Sequence, residues 1–348
     1  MRLPLTKLPA PPSLEELRAH TPRIGPASEA VPRPFWSVMI PTYNSGEYLH
    51  RTLASVLCQD PGPERMQIEV VDGCSTVDKP EEIANELGRG RVTFSRIPEN
   101  RGPATTFNAC IERARGHWVH ILHGDDLVLP GFYEAYAAAI GAFPQAQTVV
   151  GQAMIIDEHD LWGGIVGPRP PVGGGILGDF VERVATDWLV ACPSVVVNRT
   201  AYEKVGGYCT FFRGPNDWDM WLRLALHAPV ACVARPYSLY RHRTDSQTKQ
   251  LTVTGANVLE ECMVVGANLA RIDQAGRTRP IDTTSWRALY ARWSDSDAWE
   301  QDKRNNTRGR YIHARWAWIL DPSATRLIML LKSWLKHKLA GSPVAERR

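Results

Sequence analysis

Short apolar segments alternate with amphipathic segments between Trp36 and about Phe143, and this alternation restricts the fold more than any other feature. The predicted strands are SVMIP, IEVV, VTFSRI and HWVHIL. The helix steps are GEYLHRTLASVLCQ, PEEIANEL, PATTFNACIERA and PGFYEAYAAAIGAF, the last opened by Pro130 in its first turn. Such an order predicts an α/β domain with a mostly parallel sheet flanked by helices.

The remaining segments divide the chain into three parts. Residues 1–34 are rich in proline, with Pro4, Pro9 and Pro22 among them, and this composition predicts an extended arm. Residues 35–250 form the α/β domain, in which VVGQAMII is a further strand and DFVERVATDWLV a further helix. After about Gln250 the pattern turns helical, so we expect a helical extension over residues 251–348.

Charge and cysteine content exclude several classes of protein. The net charge of +3 is too small to indicate a nucleic-acid-binding surface. Seven scattered cysteines without a C-x-x-C pair argue against a disulfide framework or a zinc cluster, and favour the cytoplasm. The amino terminus lacks the apolar core of a signal peptide, and no run approaches the roughly 18 apolar residues of a spanning helix. We therefore expect neither secretion by this route nor an integral membrane protein.

Acidic residues follow two of the predicted strands, where ligands usually bind in such sheets. Asp72 ends the strand IEVV, and Asp125 and Asp126 follow HWVHIL. Adjacent carboxylates at a strand end favour a divalent cation, although one of them capping the next helix explains them equally well. For Asp72, the alternative is a turn-forming aspartate before glycine.

Asp217 lies among tryptophans in NDWDMWLRLA. An acid beside apolar rings gains the proton affinity that suits a general base. The alternative is a structural one, because an acid in the first turn of a helix is stabilised by the helix dipole.

Two further motifs are rejected. GGGILG at residues 173–178 has the letters of a dinucleotide-binding loop, but it follows PRPPV instead of a strand, which leaves a flexible loop and disfavours an NAD-dependent oxidoreductase. His117, His120 and His123 alternate faces along a strand, so they cannot surround one zinc ion. Only His123, at the strand end, keeps a possible role in a site.

Taken in order, five fragments resemble glycosyltransferase family 2, the nucleotide-sugar-dependent transferases of GT-A fold. SVMIPTYNSGEYLHRTLASVLCQ resembles the opening strand and helix of the family, and EVVDGCSTVD its V-D-x-x-S-x-D turn. PENRGPATTFNACIERARGHWVHILHGDD resembles the N-x-G helix and the strand before the D-x-D motif, and GPNDWDMWLRLA the E-D-x-x-L segment. The last fragment, YRHRTDSQT, resembles the late Y-R-x-H segment. The resemblance runs from about Phe35 to Thr248.

The resemblance implies an inverting transferase with a bound divalent cation, Mn²⁺ or Mg²⁺, that moves a sugar to a glycan or lipid-linked acceptor in bacterial surface polysaccharide or glycoconjugate synthesis. It gives Asp217 the role of general base and assigns the metal to Asp125 with its neighbour Asp126. The residues that it implies for nucleotide-sugar binding are Pro41, Thr42, Tyr43, Glu47, Asp72, Asn100, Gly102, His123 and Arg241.

Three positions depart from the family pattern. His123 replaces the first acid of D-x-D, Asn216 replaces the glutamate of E-D, and Arg243 stands where the family often has histidine. The first two departures keep open a non-catalytic nucleotide-sugar-binding scaffold of the same fold. No Q-x-x-R-W segment is present, which favours a single addition over processive synthesis.

The segment SATRLIMLLKSWLKHKLAG predicts an amphipathic helix whose apolar stripe holds Leu327, Ile328, Leu331, Trp334 and Leu335. Lysines lie off the stripe, and two interpretations follow. The helix either rests on an anionic membrane, as a peripheral contact at the inner face of the cell membrane, or packs its stripe on its own domain.

Overall fold

The computed structural model describes residue 8 and residues 10–28, 32–278 and 285–340. The chain divides into two compact units. The larger unit comprises Glu15–Val184 and Trp188–Arg243, and the smaller comprises Met1–Leu14, Ala185–Asp187 and Thr244–Arg348. Within the described ranges, no helix combines the length and apolarity that crossing a bilayer requires.

The larger unit is built around two sheets. Its strands are β1 (Trp36–Thr42), β2 (Met66–Asp72), β3 (Thr93–Arg96), β4 (Trp118–Ile121), β5 (Leu127–Val128), β6 (Thr148–Val150), β7 (Ala153–Asp157), β8 (Trp162–Val166), β9 (Gly175–Ile176), β10 (Val195–Asn198), β11 (Val230–Cys232) and β12 (Ser238–His242). The main sheet has the order β3-β2-β1-β4-β10-β6-β11-β9, and the second sheet has the order β5-β12-β7-β8.

Helices flank the main sheet. They are α1 (Leu14–Ala19), α2 (Gly46–Leu57), α3 (Pro80–Gly88), α4 (Pro103–Arg113), α5 (Phe132–Ala142), α6 (Phe180–Val184), α7 (Arg199–Val205) and α8 (Asn216–His227). The strands β3, β2, β1 and β4 run parallel, whereas β10 pairs antiparallel with both β4 and β6. The predicted α/β class is therefore confirmed.

Burial explains why β1 and β2 form at the centre of the sheet. Every residue of both strands is buried, as expected for parallel strands covered on both faces. Val38 and Ile40 of β1 pack with Leu49 and Leu53 from the apolar stripe of α2. This packing fixes the carboxyl ends of the parallel strands at one edge.

The smaller unit is helical. Its helices are α9 (Gln247–Thr254), α10 (Ala256–Gln274), α11 (Ser285–Lys303), α12 (Thr307–Leu320) and α13 (Ala324–Ala340). The predicted helical character of the carboxy-terminal region is confirmed. The three-part division at residues 34 and 250 stays a prediction.

Four local predictions are wrong. VVGQAMII is not one strand: it breaks at Gly151, where a Cβ would lie 2.6 Å from the Tyr136 hydroxyl, and its halves β6 and β7 join different sheets. The GGGILG loop contains the edge strand β9, which pairs with β11. The helix predicted over DFVERVATDWLV ends at Val184, and α5 begins after Gly131, so Pro130 precedes it.

The predicted arm also contains regular structure. The helix α1 forms between the last proline of the first cluster, Pro12, and Pro22, and it buries Leu17. Proline excludes a helix only locally, and the sequence LEELRA between the prolines favours one. Pro4, Pro9 and residues 29–31 lie outside the described residues.

Gly116 lies where the turn before β4 packs closely against the backbone of β1. A Cβ there would lie 2.6 Å from the backbone nitrogen of Ser37, so Gly116→Ala should destabilise the protein by about 1–3 kcal/mol in urea unfolding. Gly141→Ala is the matched control, because its Cβ meets no atom within 4 Å and alanine is favoured inside α5. Equal stability of the two variants would contradict the close approach.

Candidate active site

The carboxyl ends of β1, β2 and β4 meet at one edge of the main sheet. Thr42 pairs with Asp72 across the first two strands, and the backbone nitrogen of Gly124 donates to the carbonyl of Pro41 at 2.9 Å. A Cβ on Gly124 would lie 2.9 Å from the Thr42 hydroxyl oxygen, so this approach requires glycine. The segments that the sequence places at strand ends therefore lie together.

Asp72 is fully buried and hydrogen-bonded at this edge. Its carboxylate accepts hydrogen bonds from the backbone nitrogen and hydroxyl of Ser75, and it forms an ion pair with Arg96. The hydroxyl oxygen of Thr42 is also buried, and it has no hydrogen-bond partner among the described residues. At this edge the Asp72 carboxylate is therefore already hydrogen-bonded, whereas the Thr42 hydroxyl can still bond to a ligand.

Four of the remaining predicted binding residues surround this edge in loops and first turns. Tyr43 is 46% exposed, and Glu47 lies in the exposed first turn of α2. Asn100 accepts a hydrogen bond at 2.8 Å from the backbone nitrogen of Gly102, which has φ +93° just before α4. Their roles in binding stay predictions.

His123, Asp125 and Asp126 lie close together after β4, and we call these three residues the acidic cluster. One ligand atom from each residue lies within 4.8 Å of the others. The imidazole of His123 stacks on the ring of Phe107, with ring centroids 5.0 Å apart, which fixes its orientation. In contrast, His120 is buried on the other face and contacts Tyr133 and the carbonyl of Pro193, which fits the rejection of a zinc site built from the histidines.

The electrostatics of this cluster suit a divalent cation. Burial lowers the pKa of His123, so its imidazole is neutral, and burial together with Asp125 raises the pKa of Asp126 well above its usual range. Buried Nε2 of His123 and Oδ2 of Asp126 have no hydrogen-bond partner among the described residues. An imidazole and two carboxylates are a donor set that Mn²⁺ accepts, and the carboxylates also suit Mg²⁺.

Arg243 is a site residue that sequence reasoning noted only as a departure from a family pattern. Its guanidinium lies 3.2 Å from the Asp125 carboxylate, donates to the Ser45 hydroxyl at 3.0 Å and stacks over the Tyr48 ring. The side chain therefore places a permanent positive charge at the acidic cluster. Such a charge attracts an anionic ligand such as a diphosphate.

Arg241 is almost completely buried. Its guanidinium donates to the carbonyls of Asp125 and Asp157 and forms an ion pair of 2.7 Å with Asp160. Its backbone nitrogen donates to Asp126 at 2.9 Å. The residue thus ties β12 to the loop after β4, and its predicted contact with a diphosphate stays a prediction.

Asp217 lies in the first turn of α8 and is partly buried. One carboxylate oxygen accepts a hydrogen bond from Nε1 of Trp188 at 3.1 Å, and the other accepts one from the backbone nitrogen of Trp218 at 2.7 Å. Burial raises the pKa of Asp217 to about 6, although both hydrogen bonds act to lower it. A carboxylate of this kind is ionised at neutral pH and still accepts a proton readily.

Tyr240, in β12, is affected by the charges of the site. Burial raises the pKa of its hydroxyl, and the charges of Asp126, Asp217 and Asp125 raise it further. The Tyr240 ring also lies 5.9 Å from the ring of Trp188. Sequence reasoning missed both aromatic residues: Trp188 belongs to no motif, and Tyr240 lies in the segment YRHRTDSQT, from which only Arg241 was assigned a role.

Comparison with known proteins agrees with this geometry. Residues 37–190 match the family model described as glycosyl transferase family 2. An uncharacterized protein of Mycobacterium tuberculosis (strain CDC 1551 / Oshkosh) is 28% identical over 238 residues, which cover 66% of this chain and 73% of that protein. The succinoglycan biosynthesis protein ExoO of Rhizobium meliloti (strain 1021) is 34% identical over 105 residues, which cover 30% of this chain but only 29% of ExoO.

Solved structures show the same architecture. The crystal structure of Staphylococcus aureus TarS 1–349 in complex with UDP-GlcNAc has a TM-score of 0.53 at 15% sequence identity. The alignment covers 88% of this chain and 92% of that chain. This likeness shows a shared fold, the GT-A type.

Proposed function

We propose that this chain, whose residues 37–190 match the model of glycosyl transferase family 2, is an inverting glycosyltransferase, which moves a sugar from a nucleotide-sugar donor to an acceptor hydroxyl. The observation that carries the proposal is Asp217, a partly buried carboxylate that Trp188 and the backbone of Trp218 hold by hydrogen bonds and whose pKa burial raises to about 6.

Asp217 supplies the base for a single displacement. Its carboxylate takes the proton of the acceptor hydroxyl while the acceptor oxygen bonds to the anomeric carbon. The bond from that carbon to the diphosphate oxygen breaks, and the nucleoside diphosphate leaves with the electron pair. One displacement at the anomeric carbon inverts its configuration.

His123, Asp125 and Asp126 would hold a divalent cation, Mn²⁺ or Mg²⁺. When bound, such an ion acts as a Lewis acid that neutralises negative charge on a diphosphate. Arg243 contributes a second positive charge through its guanidinium beside Asp125. These groups together would favour departure of the nucleoside diphosphate.

The strand edge is the proposed donor pocket. The hydroxyl of Thr42, which has no partner among the described residues, and the exposed ring of Tyr43 would contact the nucleotide, and Asp72 lies beside Thr42 at the end of β2. Since the TarS structure contains UDP-GlcNAc, uridine diphosphate sugars are the donors that we expect to bind first. Binding roles for Pro41, Glu47, Asn100, Gly102, His123 and Arg241 belong to the same proposal.

The acceptor is proposed to be a glycan or a lipid-linked glycan. ExoO acts in succinoglycan biosynthesis by its name, which supports a role in bacterial surface polysaccharide or glycoconjugate synthesis. We place the protein in the cytoplasm, peripheral to the inner face of the cell membrane. All seven cysteines are free thiols, five of them buried, which fits a reducing compartment.

The anomeric configuration of the product tests the proposed reaction. With water in place of the acceptor, an α-linked donor should release the β-anomer of the sugar first, and proton NMR detects it before mutarotation. Initial release of the α-anomer would mean retention, which would remove the single displacement and the role of Asp217 in it.

Trp188→Phe should move the pH dependence of the reaction. Loss of the indole hydrogen bond raises the pKa of Asp217, so the acid limb of the kcat/KM profile should shift from about pH 6 upward by about one unit. Activity at pH 8.5 should change little, because the carboxylate is ionised there in both proteins.

Trp221→Phe is the matched control for this shift. Its indole donates to the carbonyl of Val190 at 3.1 Å from the same helix as Asp217, so the variant loses a similar hydrogen bond without touching the carboxylate. An unchanged acid limb in Trp188→Phe, or an equal shift in both variants, would contradict the positioning of Asp217 by Trp188.

A further inference from the structure

The helix α13 directs apolar side chains toward solvent. Leu327, Ile328, Leu331, Leu335 and Leu339 are 36%, 53%, 49%, 52% and 60% exposed, and together they form the apolar face of α13. A helix of a water-soluble protein normally turns its apolar stripe toward the core. Four members of the predicted stripe are thus exposed, and the alternative in which the stripe packs on its own domain is wrong for them, whereas the fifth member, Trp334, is half-buried.

Contacts on the opposite side hold α13 in this orientation. Leu330 and Ser333 are buried, and the Ser333 hydroxyl accepts a hydrogen bond from Arg310 at 3.1 Å. Arg326 forms ion pairs with Asp295, at 2.9 Å, and with Asp321. The outward position of the apolar face thus follows from packing within the smaller unit.

Positive charge lies on both sides of the apolar face. At 100° a residue, Lys332 and Lys338 fall about 60° to either side of Leu335. Lys336 lies beyond Lys332 and pairs with Asp302 at 2.5 Å. The sequence of α13, ATRLIMLLKSWLKHKLA, contains no acidic residue. Four of the five apolar side chains fall between the directions of these two lysines, and Leu327 falls about 20° beyond Lys338. An apolar strip bordered by lysines matches the boundary between acyl chains and anionic headgroups.

We propose that the apolar face of α13 docks on an anionic lipid bilayer, with the helix lying in the plane of the interface. The aliphatic side chains would enter the acyl region, and the ammonium group of Lys332 would meet lipid phosphates. A second copy of the chain is a poorer occupant, because a twofold contact would bring the same lysine-flanked face against itself. The proposal deepens the peripheral membrane location proposed above, since it names the surface and the class of lipid, and it does not depend on the catalytic role of Asp217.

Flotation of the full chain with vesicles tests the proposal. Binding to vesicles of equal parts phosphatidylglycerol and phosphatidylcholine should be at least about tenfold tighter than to phosphatidylcholine alone, and it should weaken as salt is added. Leu331→Gln combined with Leu335→Gln should weaken binding at least about tenfold, since two apolar side chains no longer enter the bilayer. Lys332→Gln should weaken it about fivefold.

Matched controls are available on other surfaces. Leu161→Gln replaces a leucine that is 65% exposed in the larger unit, and Lys204→Gln replaces an exposed lysine on α7, so neither should change vesicle binding. All of these side chains are exposed, and each variant should unfold at the temperature of the wild type. Asp217→Asn should bind vesicles as the wild type does, which separates this proposal from the catalytic one.

Three results would overturn the proposal. The first is equal binding to anionic and neutral vesicles, and the second is unchanged binding of the Leu331→Gln, Leu335→Gln variant. The third is a dimer in sedimentation equilibrium that this variant dissociates, because the apolar face would then be an interface between two copies.

Discussion

Asp217→Asn should lower turnover by about 10²–10⁴-fold while the donor still binds. An amide cannot take the proton of the acceptor hydroxyl, whereas its oxygen still accepts the hydrogen bond that Trp188 donates. The contact with Trp188 is thereby retained, although the backbone nitrogen of Trp218 loses its acceptor oxygen, and loss of the base is the main change. Steady-state release of nucleoside diphosphate and donor titration measure the two effects separately.

The same variant should be more stable than the wild type at pH 7. Burial raises the pKa of Asp217 from 3.8 to about 6, so the folded protein binds this proton more tightly than the unfolded chain. Stability is therefore lost as the pH rises from about 4 to about 6, and removing the charge should recover about 2 kcal/mol for a partly exposed carboxylate.

Asp179→Asn is the control for Asp217→Asn, because it removes a carboxylate that is 67% exposed in the same unit. We expect near-normal turnover and unchanged stability from this control. Turnover of Asp217→Asn within tenfold of the wild type would show that another group accepts the proton.

Chelation of divalent cations should lower turnover by at least about 100-fold, and added Mn²⁺ should restore it. Turnover should fall because negative charge develops on the leaving diphosphate, and without the cation Arg243 neutralises only part of that charge. Asp125→Ala should show the same loss without restoration, since this variant lacks a carboxylate of the acidic cluster. The measurement is nucleoside diphosphate release across a Mn²⁺ titration after treatment with EDTA.

Asp60→Ala is the control for Asp125→Ala. Asp60 also forms an ion pair with an arginine, Arg91, at 2.6 Å, but it lies outside the acidic cluster. This variant should keep the metal dependence of the wild type. Turnover that is insensitive both to EDTA and to Asp125→Ala would instead make the guanidinium of Arg243 the group that neutralises the diphosphate.

The strand edge was predictable from the sequence because its geometry is local and repetitive. Parallel strands end at the same edge of a sheet, so Thr42, Asp72 and Asp125 were expected together from three strand assignments. The same periodicity predicted α2 and α3 near their observed limits. It failed at VVGQAMII, where the close approach of Tyr136 to Gly151 redirects the second half to another sheet.

The partners within the site were not predictable in this way. Asp125 and Arg243 are 118 residues apart in sequence, and Trp188 and Asp217 are 29 residues apart, with no motif to link either pair. The exposure of the apolar face of α13 to solvent could not be predicted from the sequence either. Hydrophobic periodicity defines an apolar stripe but not what covers it, and ion pairs of Arg326 set its orientation here.

Donor binding and turnover, measured together on wild type and Asp217→Asn, test the central claim most directly. UDP-, GDP- and dTDP-sugars are compared by thermal stabilisation and by nucleoside diphosphate release, with Mn²⁺ and with EDTA. We predict that one donor class stabilises both proteins in Mn²⁺ and that only the wild type releases diphosphate. Binding that is indifferent to metal, with no release by the wild type from any donor even when candidate acceptors are supplied, would contradict the account and indicate a non-catalytic nucleotide-sugar-binding scaffold.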